Sequence, residues 1–182
     1  ANGGLSALMA AAFFIKPSPV FFAAFLGIIA SVNADTWATE IGVFSRKQPR
    51  LITTLKPVET GSSGGVTMLG FVVSLAGGAF IGLFAMAFLE LFPNPLLAMP
   101  LLKLFAISVA GGFLGSVFDS FQGASIQAQH YCPSCRKMTE QRFSHHCRTK
   151  TIPRAGLSFV DNDAVNLFSS VFGGVVSALV FL

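Results

Sequence analysis

Five carboxylates in this chain lie inside or directly beside long apolar segments, where charged groups are uncommon. Asp35 and Glu40 lie in the second such segment, Asp119 lies in the fourth, and Asp161 and Asp163 precede the last. A carboxylate at membrane depth costs ~2.5–3.5 kcal/mol on insertion scales, so it usually faces a bundle interior or a wet cavity. Such a cluster repels itself unless cations neutralise it. Mg²⁺ with a bound polyphosphate would do so, and the pattern therefore predicts that these five residues form a Mg²⁺ site.

The segments that must position these acids dominate the composition. The chain has 182 residues, of which 53% are hydrophobic and 11% charged, with 20 Phe and a mean hydropathy of +0.69. These values lie well outside those of an average soluble domain. Residues 1–182 are therefore predicted to form a single all-α domain, a polytopic transmembrane bundle of about five spans. The five apolar segments are approximately Gly4–Ile15, Val20–Val43, Val66–Leu91, Leu101–Gln127 and Ala164–Leu182.

The middle three segments reach the roughly 20 residues that a helix needs to cross the hydrocarbon core, whereas the first is shorter. The chain also begins at Ala1 without methionine. The N-terminus is therefore expected to be clipped, with residues missing upstream.

Basic residues are concentrated in two loops. Ten of the twelve Lys and Arg lie in the 45–65 and 129–158 loops, and alternating spans place both loops on one face. The positive-inside rule makes that face cytoplasmic, or stromal in a plastid. The charge either contacts phosphates or only sets the topology, and no nucleic-acid partner is predicted. Glu59 and Glu140 in these loops, and Glu90 at the other end of a span, are expected to be ordinary solvated charges.

The first basic loop, SRKQPRLITTLKPVETGSSGG, ends in a Gly/Ser-rich turn that is followed by a predicted helix opening at Val66 and Thr67. Backbone N–H groups at such a place can hold phosphate. The turn is not a Walker A motif, because no GKS or GKT follows the glycines. By itself GSSGG is more often a flexible turn. The predicted phosphate-binding residues of this loop are Arg46, Arg50, Lys56, Thr60, Gly61, Ser62, Ser63, Gly64 and Gly65.

The motif DNDAVN opens the last apolar segment. Asn162 and Asn166 are separated by four residues and share a helix face, so both could orient ligands beside Asp163. Capping is the alternative, because Asp161 or Asn162 suits the first position of a helix and first-turn acids suit its dipole.

The second basic loop contains CPSC followed by HHC. Cys132, Cys135, Cys147 and one histidine, preferably His146, could bind a structural Zn²⁺ in a small insert spanning 129–158. The adjacent His–Cys pair is unusual for zinc, and reduced free thiols are the alternative. A disulfide is not expected on a reducing face.

Four blocks of the chain together resemble the integral membrane family of domain of unknown function 92. This family includes transmembrane protein 19 and the phytyl-phosphate kinases of plants and cyanobacteria. The blocks span about residues 33–170 in the family's order, and the CPSC to HHC insert is similar to the prokaryotic or plastid-lineage branch. The blocks are ADTWATEIG, SRKQPRLITTLKPVETGSSGGVT, GSVFDSFQGASIQ and DNDAVNLFSS. The resemblance also implies one or more leading helices before Ala1.

The resemblance implies a Mg²⁺-dependent kinase that transfers a phosphoryl group from a nucleoside triphosphate, CTP above all, to an isoprenyl monophosphate. Under this hypothesis Asp35, Glu40, Asp119 and Asp163 are the catalytic carboxylates that hold Mg²⁺. The expected partners are the two substrates and membrane lipids, and the chain could form a homo-oligomer. Two alternatives remain open: a nucleotidyltransferase that makes a CDP-lipid, and a transporter with an acidic cavity. A purely structural membrane module is ranked last.

Overall fold

The computed structural model describes residues 2–97 and 99–182, and it contains all five predicted helices. Helices α2 to α5 are long and apolar enough to cross a membrane. The prediction of a polytopic helical bundle is thus confirmed. Helix α1 has 14 residues, fewer than the roughly 20 that a straight span requires. The helices are α1 (Asn2–Ile15), α2 (Pro19–Gly42), α3 (Met68–Leu91), α4 (Leu101–Ser125) and α5 (Asn162–Phe181).

Helices α2 and α4 form the centre of the bundle. They pack against each other, and each also packs against α3 and α5, while α1 contacts α2 and α5. Small residues allow the helix backbones to approach closely. In lipid the hydrophobic effect does not drive helices together, so van der Waals packing between them supplies the attraction. At Gly111 an added Cβ would overlap Ser177 Oγ, which donates a hydrogen bond to Ile107 O at 2.9 Å. The seam between α4 and α5 therefore depends on small side chains.

Local signals place the helix starts. Pro19 occupies the first turn of α2, where its missing N–H has no intrahelical partner to lose. Thr67 precedes α3 and its hydroxyl accepts a hydrogen bond from Gly70 N at 2.9 Å. Asp161 does the same for α5 by accepting from Ala164 N at 3.0 Å. These caps fix where the chain turns back into the bundle.

Short strands order the two basic loops at one end of the bundle. In the first loop β1 (Arg50–Leu51) pairs antiparallel with β2 (Gly65–Val66). The GSSGG turn therefore leads through this short strand to the Thr67 cap, and α3 begins at Met68, shortly after the predicted opening at Val66 and Thr67. In the second loop three antiparallel strands lie in the order β4-β3-β5. They are β3 (Gln129–Cys132), β4 (Lys137–Thr139) and β5 (Ile152–Ala155).

Candidate functional site

A polar pocket of about 420 Å³ opens at the end of the bundle that carries both basic loops. Its walls come from the last two turns of α2, the Gly/Ser turn, the start of α3, the end of α4 and the first turn of α5. Many of the predicted site residues meet in it, although they are far apart in the sequence. Those that line it are Asp35, Glu40, Thr60, Gly61, Ser62, Ser63, Gly64, Gly65, Asp119, Asn162 and Asn166.

Three of the long helices place a polar side chain at a similar depth in this pocket. Asp35 on α2, Ser74 on α3 and Asp119 on α4 all line it, each within two turns of the loop-side end of its helix. At a rise of 1.5 Å per residue this depth is about 10 Å. Helix α5 contributes Asn166 about one turn from its start. Every long helix therefore contributes a polar group to the pocket, with Asn166 nearer to the loops than the other three.

Serine hydroxyls from neighbouring helices hold the two deepest acids. Ser116 Oγ on α4 donates to Asp35 Oδ1 at 3.3 Å, which links α4 to α2. Ser169 Oγ on α5 donates to Asp119 Oδ2 at 3.0 Å, which links α5 to α4. A carboxylate has two oxygens and about four lone-pair positions, so each acid keeps acceptor capacity for a ligand after making these bonds. The contacts orient the two carboxylates and leave oxygen lone pairs available to bind a ligand.

Ser74 is a pocket residue that the sequence did not reveal. Its side chain is 1% exposed, and its Oγ has no hydrogen-bond partner among the described residues. A buried hydroxyl without a partner loses its hydrogen bonds with water and gains none in return, which is unfavourable. Because the unpartnered Ser74 hydroxyl lines a polar pocket, it indicates that a ligand or an ordered water supplies the missing hydrogen bond. A serine in an apolar helix gave no distinctive signal in the sequence.

Glu140 is a second residue missed by sequence reasoning. It lines the pocket, and its Oε1 lies 2.9 Å from Ser63 Oγ in the Gly/Ser turn. The side chain is exposed, as expected for a loop carboxylate, but its place in the lining and its contact with Ser63 were not predicted. The two residues are 77 positions apart. Only the packing of the second basic loop onto the first brings them together.

The hydrogen bonds around Ser63 form a chain that crosses both loops. Its Oγ lies 2.6 Å from Gln127 Oε1 as well as 2.9 Å from Glu140 Oε1, but a hydroxyl has one hydrogen to donate. Gln127 Nε2 is buried without a partner in the described chain. Exchanging the nitrogen and oxygen of the Gln127 amide lets Nε2 donate to Ser63 and lets Ser63 donate to Glu140. This arrangement gives each of the two contacts one donor and one acceptor.

The charge of the lining is one-sided. Four carboxylates line the pocket, those of Asp35, Glu40, Asp119 and Glu140, and among the lining residues that the structure describes there is no Lys or Arg. Negative charges in a partly dehydrated site repel one another strongly, since the effective dielectric constant is lower than in water. The pocket is therefore suited to a cation, or to a ligand that arrives with cations.

Five predicted site residues, all in the described part of the chain, lie outside this lining. The three basic ones belong to the loop surface, and Arg50 Nη1 donates to Leu55 O at 2.8 Å. The pocket therefore does not have the predicted direct grip of Arg or Lys on phosphate. Asp161 acts as the cap of α5, and Asp163 is exposed in its first turn. The residues outside the lining are Arg46, Arg50, Lys56, Asp161 and Asp163.

Replacement of Asp161 by Ala should lower stability without changing any metal dependence of activity. The Ala164 N–H would lose its acceptor, and loss of such a cap typically costs about 1 kcal/mol. The apparent melting temperature in detergent measures the loss, and Asp161→Asn, which keeps an acceptor oxygen, should restore most of it. A variant with normal melting and weaker Mg²⁺ dependence would assign Asp161 to the metal instead.

The Gly/Ser turn lies directly on the end of α4. Gly61 and Gly64 have φ of 84° and 73°, a region in which residues with a Cβ are strained. An added Cβ at Gly64 would also overlap the backbone of Ala124, whereas at Gly61 it would meet nothing within 4 Å. Gly64 is thus required both for the bend and for contact with α4. This contact places Ser63 beside the acids of the pocket.

The cysteines of the second basic loop converge on one point. One ligand atom each from Cys132, Cys135, His145 and Cys147 lies within 4.8 Å of the other three. Cys132 Sγ is 3.5 Å from Cys147 Sγ, which in turn is 3.6 Å from His145 Nδ1. His146 lies outside this group, and Gln141 Nε2 is 3.2 Å from its Nε2. The preference for His146 as the fourth ligand is therefore wrong.

Two of these thiols have strongly shifted pKa values. Hydrogen bonds from the Thr149 hydroxyl, the Thr149 N–H and His145 lower the pKa of Cys147 to about 5, because they stabilise its thiolate. The pKa of Cys135 is raised to about 11, chiefly by its hydrogen bond with Cys147. Without a bound metal, Cys147 therefore ionises more readily than Cys135.

The fold and the pocket define a polytopic α-helical membrane protein with an acidic cavity at one end of its bundle. More particularly, the chain belongs to the family described as integral membrane protein DUF92, whose model matches residues 1–174. The resemblance predicted from the four sequence blocks is thereby confirmed. No solved structure shows significant similarity to the chain.

Two curated relatives show the extent of the likeness. The chain is 36% identical over 177 residues to Protein PGR of Arabidopsis thaliana, an alignment that covers 91% of this chain and 59% of the relative. It is 28% identical over 157 residues to an uncharacterized membrane protein of Methanocaldococcus jannaschii, with coverage of 86% and 50%. The chain therefore spans about half to three fifths of the length of these relatives.

Proposed function

We propose that the chain forms the catalytic part of a membrane-embedded isoprenyl-phosphate kinase. In this reaction the γ-phosphoryl group of a nucleoside triphosphate, with CTP the favoured donor, passes to a prenyl or phytyl monophosphate. The observation that carries the proposal is the pocket in which Asp35, Asp119 and Glu140 face a Gly/Ser turn beside the apolar bundle. By the positive-inside rule this pocket would face the cytoplasm.

The residues of the pocket suit Mg²⁺. The ion prefers carboxylate, water and phosphate oxygens and is usually held by one or two carboxylates. Asp35 and Asp119 are fixed by serine hydroxyls and keep free lone pairs, and Asn166 and Ser74 add further polar groups to the same pocket. When bound, Mg²⁺ would neutralise the transferring phosphates. The absence of Lys and Arg from the described lining also favours phosphate binding through metal rather than through basic side chains.

The chain's own contribution would be to bind and orient the two substrates. Phosphoryl transfer needs positioning and charge stabilisation more than covalent chemistry. A phosphate oxygen of the lipid would form the new bond to the γ-phosphorus as the bond to the β-phosphate oxygen of the nucleotide breaks. The acceptor is already an anion, so no residue has to remove a proton. The Gly/Ser turn would hold phosphates with its backbone N–H groups and with Ser63.

A smaller cavity of about 300 Å³ provides room for the rest of a nucleotide. It lies between the two basic loops and shares residues of the Gly/Ser turn, Gln127 and Glu140 with the main pocket. Leu51, Val58 and Met138 give it an apolar side. A nucleoside there would place its phosphates across the shared wall and toward Asp119. A cavity of this kind has no evident use in a simple ion carrier.

The position of a radioactive γ-phosphate tests the proposal. The purified protein is incubated with Mg²⁺, geranylgeranyl or phytyl monophosphate, and CTP labelled at the γ-position, and the lipid is then extracted. A kinase transfers the label to the lipid and releases CDP. A nucleotidyltransferase releases the label in pyrophosphate and puts the cytidine on the lipid, and a transporter does neither. Either of the last two results would overturn the proposal.

A further inference from the structure

We infer that the second basic loop is a Zn²⁺ site built from Cys132, Cys135, His145 and Cys147, and that the ion holds Glu140 at the wall of the pocket. This inference does not depend on the proposed reaction. It concerns the folding of the segment from β3 to β5.

Ligand geometry is the first argument. Zn–S bonds of about 2.3 Å and Zn–N bonds of about 2.0–2.1 Å in a tetrahedron place ligand atoms about 3.5–3.8 Å apart. In the structure, Cys132 Sγ lies 3.5 Å from Cys147 Sγ, and Cys147 Sγ lies 3.6 Å from His145 Nδ1. All four ligand atoms lie within 4.8 Å of one another. Three thiol sulfurs and one imidazole nitrogen form a closed set of four, as in structural zinc sites.

Backbone conformation is the second argument, and it is independent of the side chains. Arg136 and Arg148 have φ of 54° and 62°, a left-handed conformation that is unfavourable for residues with a Cβ. Each directly follows a cysteine of the cluster, Cys135 or Cys147. Such strain persists only where the surroundings impose it. Two left-handed bends, each directly after a cysteine, indicate that the chain turns sharply to bring ligands back to one centre.

The segment also has little else to hold it. Its three strands have only three or four residues each. One of the proposed ligands, Cys132, is fully buried, at 0% exposure. Met138, Phe143 and Ile152 are all exposed. A small unit without a hydrophobic core usually requires a metal or a disulfide for stability. All three cysteines are free thiols here.

The zinc centre would act on the pocket through Glu140. This residue follows β4 and lies between Cys135 and His145 along the chain, so two ligands enclose its segment. Its side chain meets Ser63 of the Gly/Ser turn at 2.9 Å. Release of the ion would free the segment that carries Glu140. The Gly/Ser turn would then lose a contact on its outer side.

The adjacent histidines provide a matched test. We would purify the protein and its H145A and H146A variants in detergent, remove loosely bound metal by desalting and measure zinc by mass spectrometry. We expect about one zinc per chain in the wild type and in His146→Ala, and loss of zinc from His145→Ala. Cobalt substitution should give the absorption of a tetrahedral thiolate site in the wild type and in His146→Ala, but not in His145→Ala. Circular dichroism would verify that the helical bundle remains folded in each variant.

Hydrogen exchange tests the link to the pocket. In the zinc-depleted protein, residues 136–147 and 61–65 should exchange faster, while the α2–α4 core remains protected. A wild type that contains no zinc and binds no Co²⁺, or that contains a Cys132–Cys147 disulfide, would overturn the metal site. Loss of zinc from His146→Ala but not from His145→Ala would overturn the ligand assignment. Unchanged exchange at 61–65 after zinc removal would overturn the action on the pocket.

Discussion

Asp119→Asn should reduce phosphoryl transfer by about 10²-fold or more, the scale of losing one preorganised electrostatic contact to a transferring group. Asparagine retains an oxygen that can accept the hydrogen bond from Ser169, so α4 and α5 should stay in register. Only the negative charge is lost. Since that charge is unfavourable in a membrane helix without a cation, the melting temperature should not fall. Asp35→Asn should behave in the same way, because Ser116 can still donate to it.

Steady-state kinetics against Mg²⁺ concentration measure this effect. We expect both variants to need more Mg²⁺ and to have a lower kcat. Glu90→Gln, an exposed change at the opposite end of α3, is the control and should resemble the wild type. Asp163→Asn tests an acid of the predicted set that lies outside the lining, and that position predicts only a small effect. Wild-type kinetics and Mg²⁺ dependence in Asp119→Asn would show that the metal assignment is wrong.

Gly64→Ala should have the second large effect, because it moves the turn rather than the acids. The substitution adds left-handed strain of ~1–3 kcal/mol at φ 73° and a clash with the Ala124 backbone. The turn would be displaced from α4, and Ser63 would move away from the pocket. Misplacement by about 1 Å can cost on the order of 10²-fold in rate. The loss should therefore appear in kcat/KM for the nucleotide.

Gly61→Ala is the matched comparison. Gly61 has the same left-handed sign of φ, at 84°, but a Cβ there meets no atom within 4 Å. Its variant should carry the backbone strain without the clash and should therefore lose less activity than Gly64→Ala. Equal losses in the two variants would mean that backbone strain alone matters. Docking on α4 would then not be the cause.

Several features of this protein could be predicted from local sequence. Apolar runs specify the membrane helices because only a helix satisfies its own backbone groups in hydrocarbon. Acids in such runs had to face a shared interior, since lipid does not tolerate them. For that reason Asp35, Glu40 and Asp119 were identified from their positions alone, and all three line one pocket. The Cys-x-x-Cys spacing likewise indicated a cluster before its geometry was known.

The different roles of residues that are close together in the sequence could not be predicted in this way. Asp161 and Asp163 flank Asn162, which lines the pocket, but Asp161 caps α5 and Asp163 is exposed in its first turn. Arg50 lies near the Gly/Ser turn, yet its guanidinium bonds to Leu55 O on the loop itself. A rotation of one residue on a helix changes its direction by about 100°, so proximity in sequence does not fix the facing direction.

Sequence by itself determined the helices, the end of the bundle that carries the basic loops, and which acids must face away from lipid. Each of these features follows from the free energy of placing one residue type in lipid or in water. Tertiary structure alone decided that Glu140 meets Ser63 and that His145, not His146, joins the cysteines. These contacts depend on how two loops bend and pack on each other. The left-handed bends at Arg136 and Arg148 set that path, and the propensities of single residues do not specify them.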